Sequence, residues 1–115
     1  MDMIAYPLTK EIAMAVKKQY YKTKPYCKVT FRLSKKIVGN AHKVAIAGDF
    51  NDWKSERTPM KALKNGDFTA SLQLVKGREY QYRFVLDGQQ WLTDEAADKQ
   101  AYCDFASAHN AVVVV

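Results

Sequence analysis

Apolar side chains at the start of the chain recur every four residues, the spacing of one face of an α-helix. The residues that share this face are Ile4, Leu8, Ile12, Val16 and Tyr20. Thr9 is a favourable N-cap, and Lys24-Pro25 ends the pattern because the residue before a proline avoids helical geometry. The sequence therefore predicts a short N-terminal helix from about Lys10 to Tyr21.

From residue 26 onward, apolar positions alternate with polar ones, which is typical of strands with one solvent-exposed face. Phe31 and Leu33, for example, alternate with Thr30 and Arg32. The predicted strands are 27–33, 44–47, 60–63, 68–74, 79–86, 90–93 and 111–115, with turn pairs such as Asn65-Gly66 between them. Residues 95–101 fit either a helical turn or a loop. Seven short strands at this spacing predict an all-β chain folded as an antiparallel β-sandwich.

The composition limits the class of protein. A chain of 115 residues with 48% hydrophobic residues is typical of one small globular domain. The longest apolar run, 111–115, is far too short for a membrane span. The first residues lack a basic segment followed by an apolar stretch, and Cys27 and Cys103 form no disulfide framework. We therefore expect a cytoplasmic protein with two reduced, buried thiols.

The positive charge is confined to the first third of the chain. Residues 1–43 hold ten Lys/Arg against two acidic residues, a net charge of +8, whereas residues 44–115 hold eight against ten, a net charge of −2. A basic arm or an acidic partner would suit this pattern, but a solvated, charged surface is the commoner explanation. Nucleic-acid binding is therefore the weakest of the function classes considered.

Side chains for catalysis or metal binding are scarce. His42 and His109 are the only histidines, which argues against a His-rich metal site and a Ser–His–Asp triad. Asp49, Asp52 and Glu56 belong to one predicted exposed turn, with no facing element to complete a glycosidase carboxylate pair. No glycine-rich phosphate loop is present. The sequence predicts a non-catalytic chain without metal or cofactor.

Three stretches carry the functional signal. They are Val44-Ala-Ile-Ala-Gly-Asp-Phe-Asn-Asp-Trp53 with Thr58-Pro59-Met60, the segment 77–88, and Trp91-Leu-Thr-Asp94 with the closing segment 110–114. In this order and spacing they resemble the family-48 carbohydrate-binding modules. These are early-set, immunoglobulin-like domains of isoamylases and glycogen branching enzymes, and the glycogen-binding domain of the AMP-activated protein kinase β subunit. The resemblance covers roughly residues 26–115.

The residues themselves suit a sugar ligand. A glucose unit presents an apolar face and a rim of hydroxyls, so it is bound by a flat aromatic ring flanked by polar groups. Trp53 follows a run of polar turn residues, which places its ring at a loop. Arg83 is opposite in phase to Tyr82 and Phe84, and hairpin pairing returns Trp91 toward Arg83. An indole beside a guanidinium on an exposed face forms a sugar platform.

The resemblance also implies roles for individual residues. The family's two sugar-stacking tryptophans fall on Trp53 and Trp91, and its basic hydroxyl-binding residue falls on Arg83. In kinase-type domains an apolar residue and two adjacent asparagines precede the last strand, and these positions are Phe105, His109 and Asn110 here. His109 thus replaces an asparagine, and Gln90 is an apparent insertion before Trp91.

Taken together, the sequence predicts residues 1–24 as a helical extension and 25–115 as a carbohydrate-binding β-sandwich. Its predicted function is non-catalytic binding of α-1,4-linked glucan, such as glycogen, starch or maltooligosaccharides, by a stand-alone module. The alternative is a protein-interaction or regulatory module of the same fold. Trp53 as a structural plug, or Trp91 and Arg83 as a structural cation–π pair, would suit that alternative. The helix is the predicted element for a homodimer or a partner protein.

Overall fold

The computed structural model describes residues 14–115, which form nine β-strands in two sheets. The strands are β1 (Met14–Tyr20), β2 (Tyr26–Leu33), β3 (Val44–Gly48), β4 (Lys61–Ala62), β5 (Phe68–Val75), β6 (Glu79–Leu86), β7 (Gln90–Leu92), β8 (Lys99–Cys103) and β9 (Ala108–Val114). A short helix, α1 (Lys35–Val38), and two 3₁₀ turns, Asp49–Asn51 and Ser55–Arg57, connect them. Within residues 14–115, no helix has the length and hydropathy needed to cross a membrane.

The strands pair in antiparallel fashion within each sheet. The first sheet has the order β1-β2-β5-β4, and the second has the order β3-β6-β9-β8. β7 pairs with the second half of β6, while β9 pairs with the first half. The predicted antiparallel all-β fold is confirmed. Each of the seven predicted strands corresponds to an observed one, and the structure adds β1 and β8.

The predicted N-terminal helix is wrong for residues 14–20. These residues form β1, which pairs with β2 from Met14 opposite Leu33 to Tyr20 opposite Cys27. A spacing of four residues is also a multiple of two, so Val16 and Tyr20 share a strand face as readily as a helix face. Pairing with β2 satisfies the backbone of β1 and decides between the two. Tyr21 follows β1 outside any helix, and residues 10–13 of the predicted helix lie outside the described residues.

β1 also contacts the second half of the chain. The Lys18 ammonium lies 2.7 Å from a carboxylate oxygen of Asp98, and the sulfur of Met14 accepts a hydrogen bond from the Glu95 N–H. β1 and β2 thus pair across the predicted boundary between residues 24 and 25. That division of the chain remains a prediction.

The core lies between the two sheets and follows the period of two. The completely buried apolar side chains are Cys27, Val29, Phe31, Leu33, Ile46, Ala47, Tyr82, Phe84, Ala111 and Val113. The rings of Phe31 on β2 and Tyr82 on β6 join the sheets, with centroids 4.9 Å apart. Such edge-to-face pairs add to the stabilisation from burial. The alternation therefore leaves the intervening residues of β6 on the outer face of the second sheet.

A carboxylate is buried beside this core. Asp94, which follows β7, is completely buried, and its carboxylate accepts hydrogen bonds from the Tyr82 hydroxyl (2.6 Å) and the Ala96 N–H (2.8 Å). Burial raises the pKa of Asp94, and burial together with the nearby Asp94 charge raises the pKa of Tyr82. The pair anchors the segment after β7 to the centre of β6.

A second carboxylate joins α1 to the first sheet. Asp67 accepts hydrogen bonds from the Lys35 N–H (2.9 Å) and from Nε and Nη2 of Arg32 (3.0 and 2.8 Å). These bonds lower the pKa of Asp67, the bond from Lys35 most of all. A carboxyl whose pKa is lowered by folding stabilises the native state above its unfolded pKa, about 3.9, and loses this effect as the pH falls.

We expect Asp67→Asn to lower the free energy of unfolding by about 1 kcal/mol at pH 7, since the pair is partly exposed and screened. The difference from the unaltered protein should shrink as the pH falls below about 4, because native Asp67 then loses its charge as well. Urea denaturation at pH 7 and at about pH 2.5, below the unfolded pKa of the carboxyl, measures both values, with Asp104→Asn as an exposed control. An equal difference at both pH values would contradict this account of Asp67.

Candidate functional site

A turn with a fixed conformation follows β3. The buried Asn51 accepts a hydrogen bond from the Gly48 N–H (3.0 Å) and donates to the carbonyl oxygen of Ile46 (2.9 Å) and the hydroxyl of Thr58 (2.8 Å). One amide thereby closes the turn on both sides. Small polar residues favour such side-chain to backbone bonds, which explains why β3 stops here.

Gly48 is required where this turn begins. A Cβ at this position would lie 2.6 Å from the carbonyl oxygen of Gln81 and 2.9 Å from Cζ of Phe50. The close approach of β3 and β6 therefore leaves no room for a side chain. Phe50 itself packs toward the core, with its ring centroid 6.3 Å from that of Phe31.

Trp53 is held in a rarely adopted backbone conformation. Asp52 and Trp53 both have a positive φ angle. Bulky residues avoid this region. The Trp53 N–H donates to the carbonyl oxygen of Gly48 (2.9 Å), and the indole Nε1–H donates to Oδ1 of Asp49 (3.0 Å). Strain of this kind persists where neighbouring contacts fix the chain, and it clusters at ligand-binding sites. Trp53 thus lies in a loop, as the sequence predicted.

Arg83 lies at the centre of β6, where two partner strands meet. Its neighbours Tyr82 and Phe84 are completely buried in the core, so Arg83 projects from the outer face of the second sheet, as predicted. β9 pairs with β6 up to Tyr82, and β7 pairs from Phe84 onward. The Arg83 side chain therefore stands at the junction of β7 and β9.

Trp91 returns beside Arg83 through the β6–β7 hairpin. It pairs with Val85 on β6, and its side chain is 39% exposed. Cζ of Arg83 lies 5.7 Å from the centroid of the Trp91 ring. This distance is within the range of a cation–π contact. Nε of Arg83 is buried without a hydrogen-bond partner among residues 14–115. The predicted juxtaposition of indole and guanidinium is present.

These side chains border one open cleft of about 600 Å³ on the outer face of the second sheet. The residues that line it are Asp49, Trp53, Gln81, Arg83, Trp91, Cys103, Phe105, Ala106 and Asn110. Phe105 is fully exposed at the rim, and Nδ2 of Asn110 donates to Oε1 of Gln81 (3.0 Å). The cleft thus combines three aromatic rings with guanidinium and amide groups, the chemistry that a hydroxyl-rimmed, apolar-faced ligand requires.

One family model matches most of this structure. It is described as the glycogen recognition site of AMP-activated protein kinase, and it matches residues 33–115. The chain belongs to this family. The match spans the whole cleft and confirms the resemblance that the sequence motifs indicated. No curated protein matches the chain.

Membership of this glycogen-recognition family supports carbohydrate binding, and modules of this family are generally non-catalytic. The cleft is consistent with both statements. Asp49 is the single carboxylate among the described residues that line it, and both of its oxygens already accept hydrogen bonds. Within residues 14–115, no group of three or more metal-ligating side chains is present.

The cleft brings together five of the six predicted site residues, and His109 does not line it. Successive residues of a strand point to opposite faces, so Asn110 and His109 on β9 face different ways. The ring of His109 packs against Tyr102, with centroids 5.2 Å apart, and lines a neighbouring pocket that Arg83 and Trp91 also line. A role of His109 in sugar binding stays a prediction.

Sequence reasoning missed four residues of the cleft, namely Asp49, Gln81, Cys103 and Ala106. Gln81 alternates with Tyr80 and Tyr82, so the period of β6 could have placed it on the outer face beside Arg83. Asp49 was considered only as a catalytic carboxylate. Cys103 lies on β8, which the sequence did not indicate, and it is partly exposed, so the prediction that both thiols are buried is wrong for Cys103 and correct for Cys27.

Proposed function

We propose that this module binds α-1,4-linked glucan without catalysing a reaction, in the cleft between Trp53 and Trp91. The observation that carries the proposal is the presence of both indoles and the Arg83 guanidinium around one cleft. Two separated aromatic rings suit a ligand made of repeated glucose units, since each ring offers a stacking surface for one sugar face. Glycogen, starch and maltooligosaccharides share this repeat.

The polar groups of the cleft suit the hydroxyl rim of such a ligand. Among residues 14–115, Nη2 of Arg83 makes only a long contact of 3.5 Å to the Trp91 carbonyl oxygen. The guanidinium can therefore donate to sugar hydroxyls. The amides of Gln81 and Asn110 line the same cleft and offer both donors and acceptors.

We also propose that the module catalyses no reaction on the glucan. Glycoside hydrolysis requires two carboxyl groups on opposite sides of the scissile bond. In the cleft, the carboxylate oxygens of Asp49 accept hydrogen bonds from Trp53 and Gln81. Asp52 instead forms an ion pair with Arg57 in the exposed turn. Incubation with glycogen, amylose or pullulan should release no reducing sugar. Turnover that co-purifies strictly with the chain would contradict this.

The proposal includes a cytoplasmic location. Cys103 is a free, partly exposed thiol at the cleft. A thiol of this kind suits a reducing compartment.

Co-sedimentation with glycogen tests the proposal. The unaltered protein should pellet with glycogen, and a clearly smaller fraction of Trp91→Ala should do so. Tyr20→Ala is the matched control, because Tyr20 is an aromatic residue with 54% exposure that lies on β1, in the other sheet. Failure of the folded, unaltered protein to pellet would favour the alternative function, a protein-interaction module of the same fold.

A further inference from the structure

We propose that Asp49 is the positioning residue of the carbohydrate cleft, fixing the Trp53 indole against β6. The inference rests on the proposed function, because it concerns how the same cleft is held ready for its ligand. Asp49 begins the 3₁₀ turn after β3, four residues before Trp53. Its carboxylate lines the cleft and lies between the indole and β6.

The carboxylate acts as a bridge with one bond on each oxygen. Oδ1 accepts a hydrogen bond from the indole Nε1–H of Trp53 (3.0 Å), and Oδ2 accepts one from the backbone N–H of Gln81 (2.7 Å). β3 pairs with β6 only as far as Gly48 opposite Tyr82, so the Gln81 N–H lies just past the last paired residue. Asp49 accepts the hydrogen bond from that backbone N–H and so links the indole to the sheet.

The position of the indole depends on this bridge, whereas the surrounding backbone is held by other hydrogen bonds. The turn itself is closed by Asn51, which bonds Gly48, Ile46 and Thr58, none of them through Asp49. A tryptophan ring offers one polar atom, its Nε1–H. That atom is used here by Asp49. Without the bond, the partly exposed ring would have to be ordered when the ligand binds, which reduces affinity.

The bridge also connects the two sides of the cleft. Gln81, whose backbone anchors Asp49, accepts a hydrogen bond from Asn110 with its side chain. A continuous series of contacts therefore runs from the Trp53 ring across β6 to β9. Arg83 projects from β6 beside this series, two residues after Gln81. Trp53 is thus held at a defined distance from the Arg83–Trp91 pair.

Asp49→Asn tests this role, with Asp52→Asn as the matched control. Asparagine keeps the shape of the side chain but offers one acceptor oxygen for two donors, so one bond is lost. We expect maltoheptaose affinity to fall about three- to tenfold, the loss that corresponds to one hydrogen bond. The Trp53 indole Nε1–H resonance should shift and exchange faster with solvent in the ligand-free protein. Asp52→Asn, which removes an exposed charge in the same turn, should change affinity less than about twofold.

A double-mutant cycle separates positioning from a general structural effect. Trp53→Phe keeps an aromatic ring but has no N–H, so Asp49→Asn should cost less than about twofold in that background. An equal loss in both backgrounds, or an indole resonance and an affinity that do not change, would overturn the role. An Asp49→Asn protein that fails to fold would also overturn it, since Asp49 would then hold the turn and not the ring. If the unaltered protein binds no glucan, the proposed function fails, and the indole resonance alone decides whether Asp49 positions Trp53.

Discussion

Replacement of Trp91 by alanine is expected to weaken the binding of maltoheptaose by about 1–3 kcal/mol, roughly 5- to 150-fold. The ring supplies a stacking surface, and its loss also removes the cation–π partner of Arg83. Trp53→Ala should have a comparable effect, because Trp53 lines the same cleft. Isothermal titration calorimetry with maltoheptaose measures both affinities.

Folding must be kept apart from binding in this experiment. Trp91 is 39% exposed on the short strand β7, so its truncation should leave the core intact, which thermal unfolding checks. Tyr20→Ala serves again as the control and should bind as the unaltered protein does. A folded protein that lacks both indoles and retains full affinity would contradict glucan binding in this cleft.

The largest effect on stability is expected for Tyr82→Phe, a loss of about 2–4 kcal/mol at pH 7. The substitution keeps the ring in the core but removes the hydroxyl that donates to the completely buried Asp94 over 2.6 Å. Asp94 then retains the Ala96 N–H as its donor among residues 14–115. A buried charge that loses a partner costs more than the net value of the hydrogen bond.

This loss should depend on pH with a defined sign. Burial raises the pKa of Asp94, so the native state binds its proton more tightly than the unfolded state does. The contribution of such a carboxyl to stability falls as the pH rises from its unfolded value, about 3.9, through the raised native value. Removing the Tyr82 hydroxyl raises the native pKa further, so the deficit of Tyr82→Phe should be larger at pH 7 than at pH 4.

Urea denaturation of both proteins at pH 4 and pH 7 provides the measurement. Tyr80→Phe is the matched control, because the Tyr80 hydroxyl donates to the Val75 carbonyl oxygen (3.1 Å) near the surface and involves no buried charge. Its deficit should be below about 1 kcal/mol and independent of pH. A deficit of Tyr82→Phe that is equal at both pH values would show that Asp94 is not the group responsible.

The period of two predicted most of the fold because it marks burial directly. β2, β5 and β6 each alternate between core and solvent over part of their length, and the turn pairs between strands are local signals. β1 was misassigned because residues spaced by four fit a helix and a strand equally well. The sequence did not predict β8, because Lys99–Cys103 is an edge strand without a buried residue and no apolar alternation marks it.

The parts of the candidate site that follow from the alternation along one strand could be predicted from the sequence. The parts that depend on how strands pair with each other could not. The outward position of Arg83 and the return of Trp91 follow from strand alternation and a hairpin. The separation of His109 from Asn110 requires the start of β9 at Ala108, whereas the sequence placed that strand from Ala111. The bridge from Asp49 to Gln81 joins residues 32 positions apart and depends on how β3 and β6 align.

Titration of the ¹⁵N-labelled protein with maltoheptaose, followed through the two indole Nε1–H resonances, tests the central claim most directly. The resonances of Trp53 and Trp91 are both expected to shift in a saturable manner with one shared dissociation constant. Cellohexaose, a β-1,4-linked glucan of similar size, should produce much smaller shifts at the same concentration. Indole resonances that remain unchanged at saturating maltoheptaose, or that respond equally to cellohexaose, would contradict α-glucan binding in this cleft.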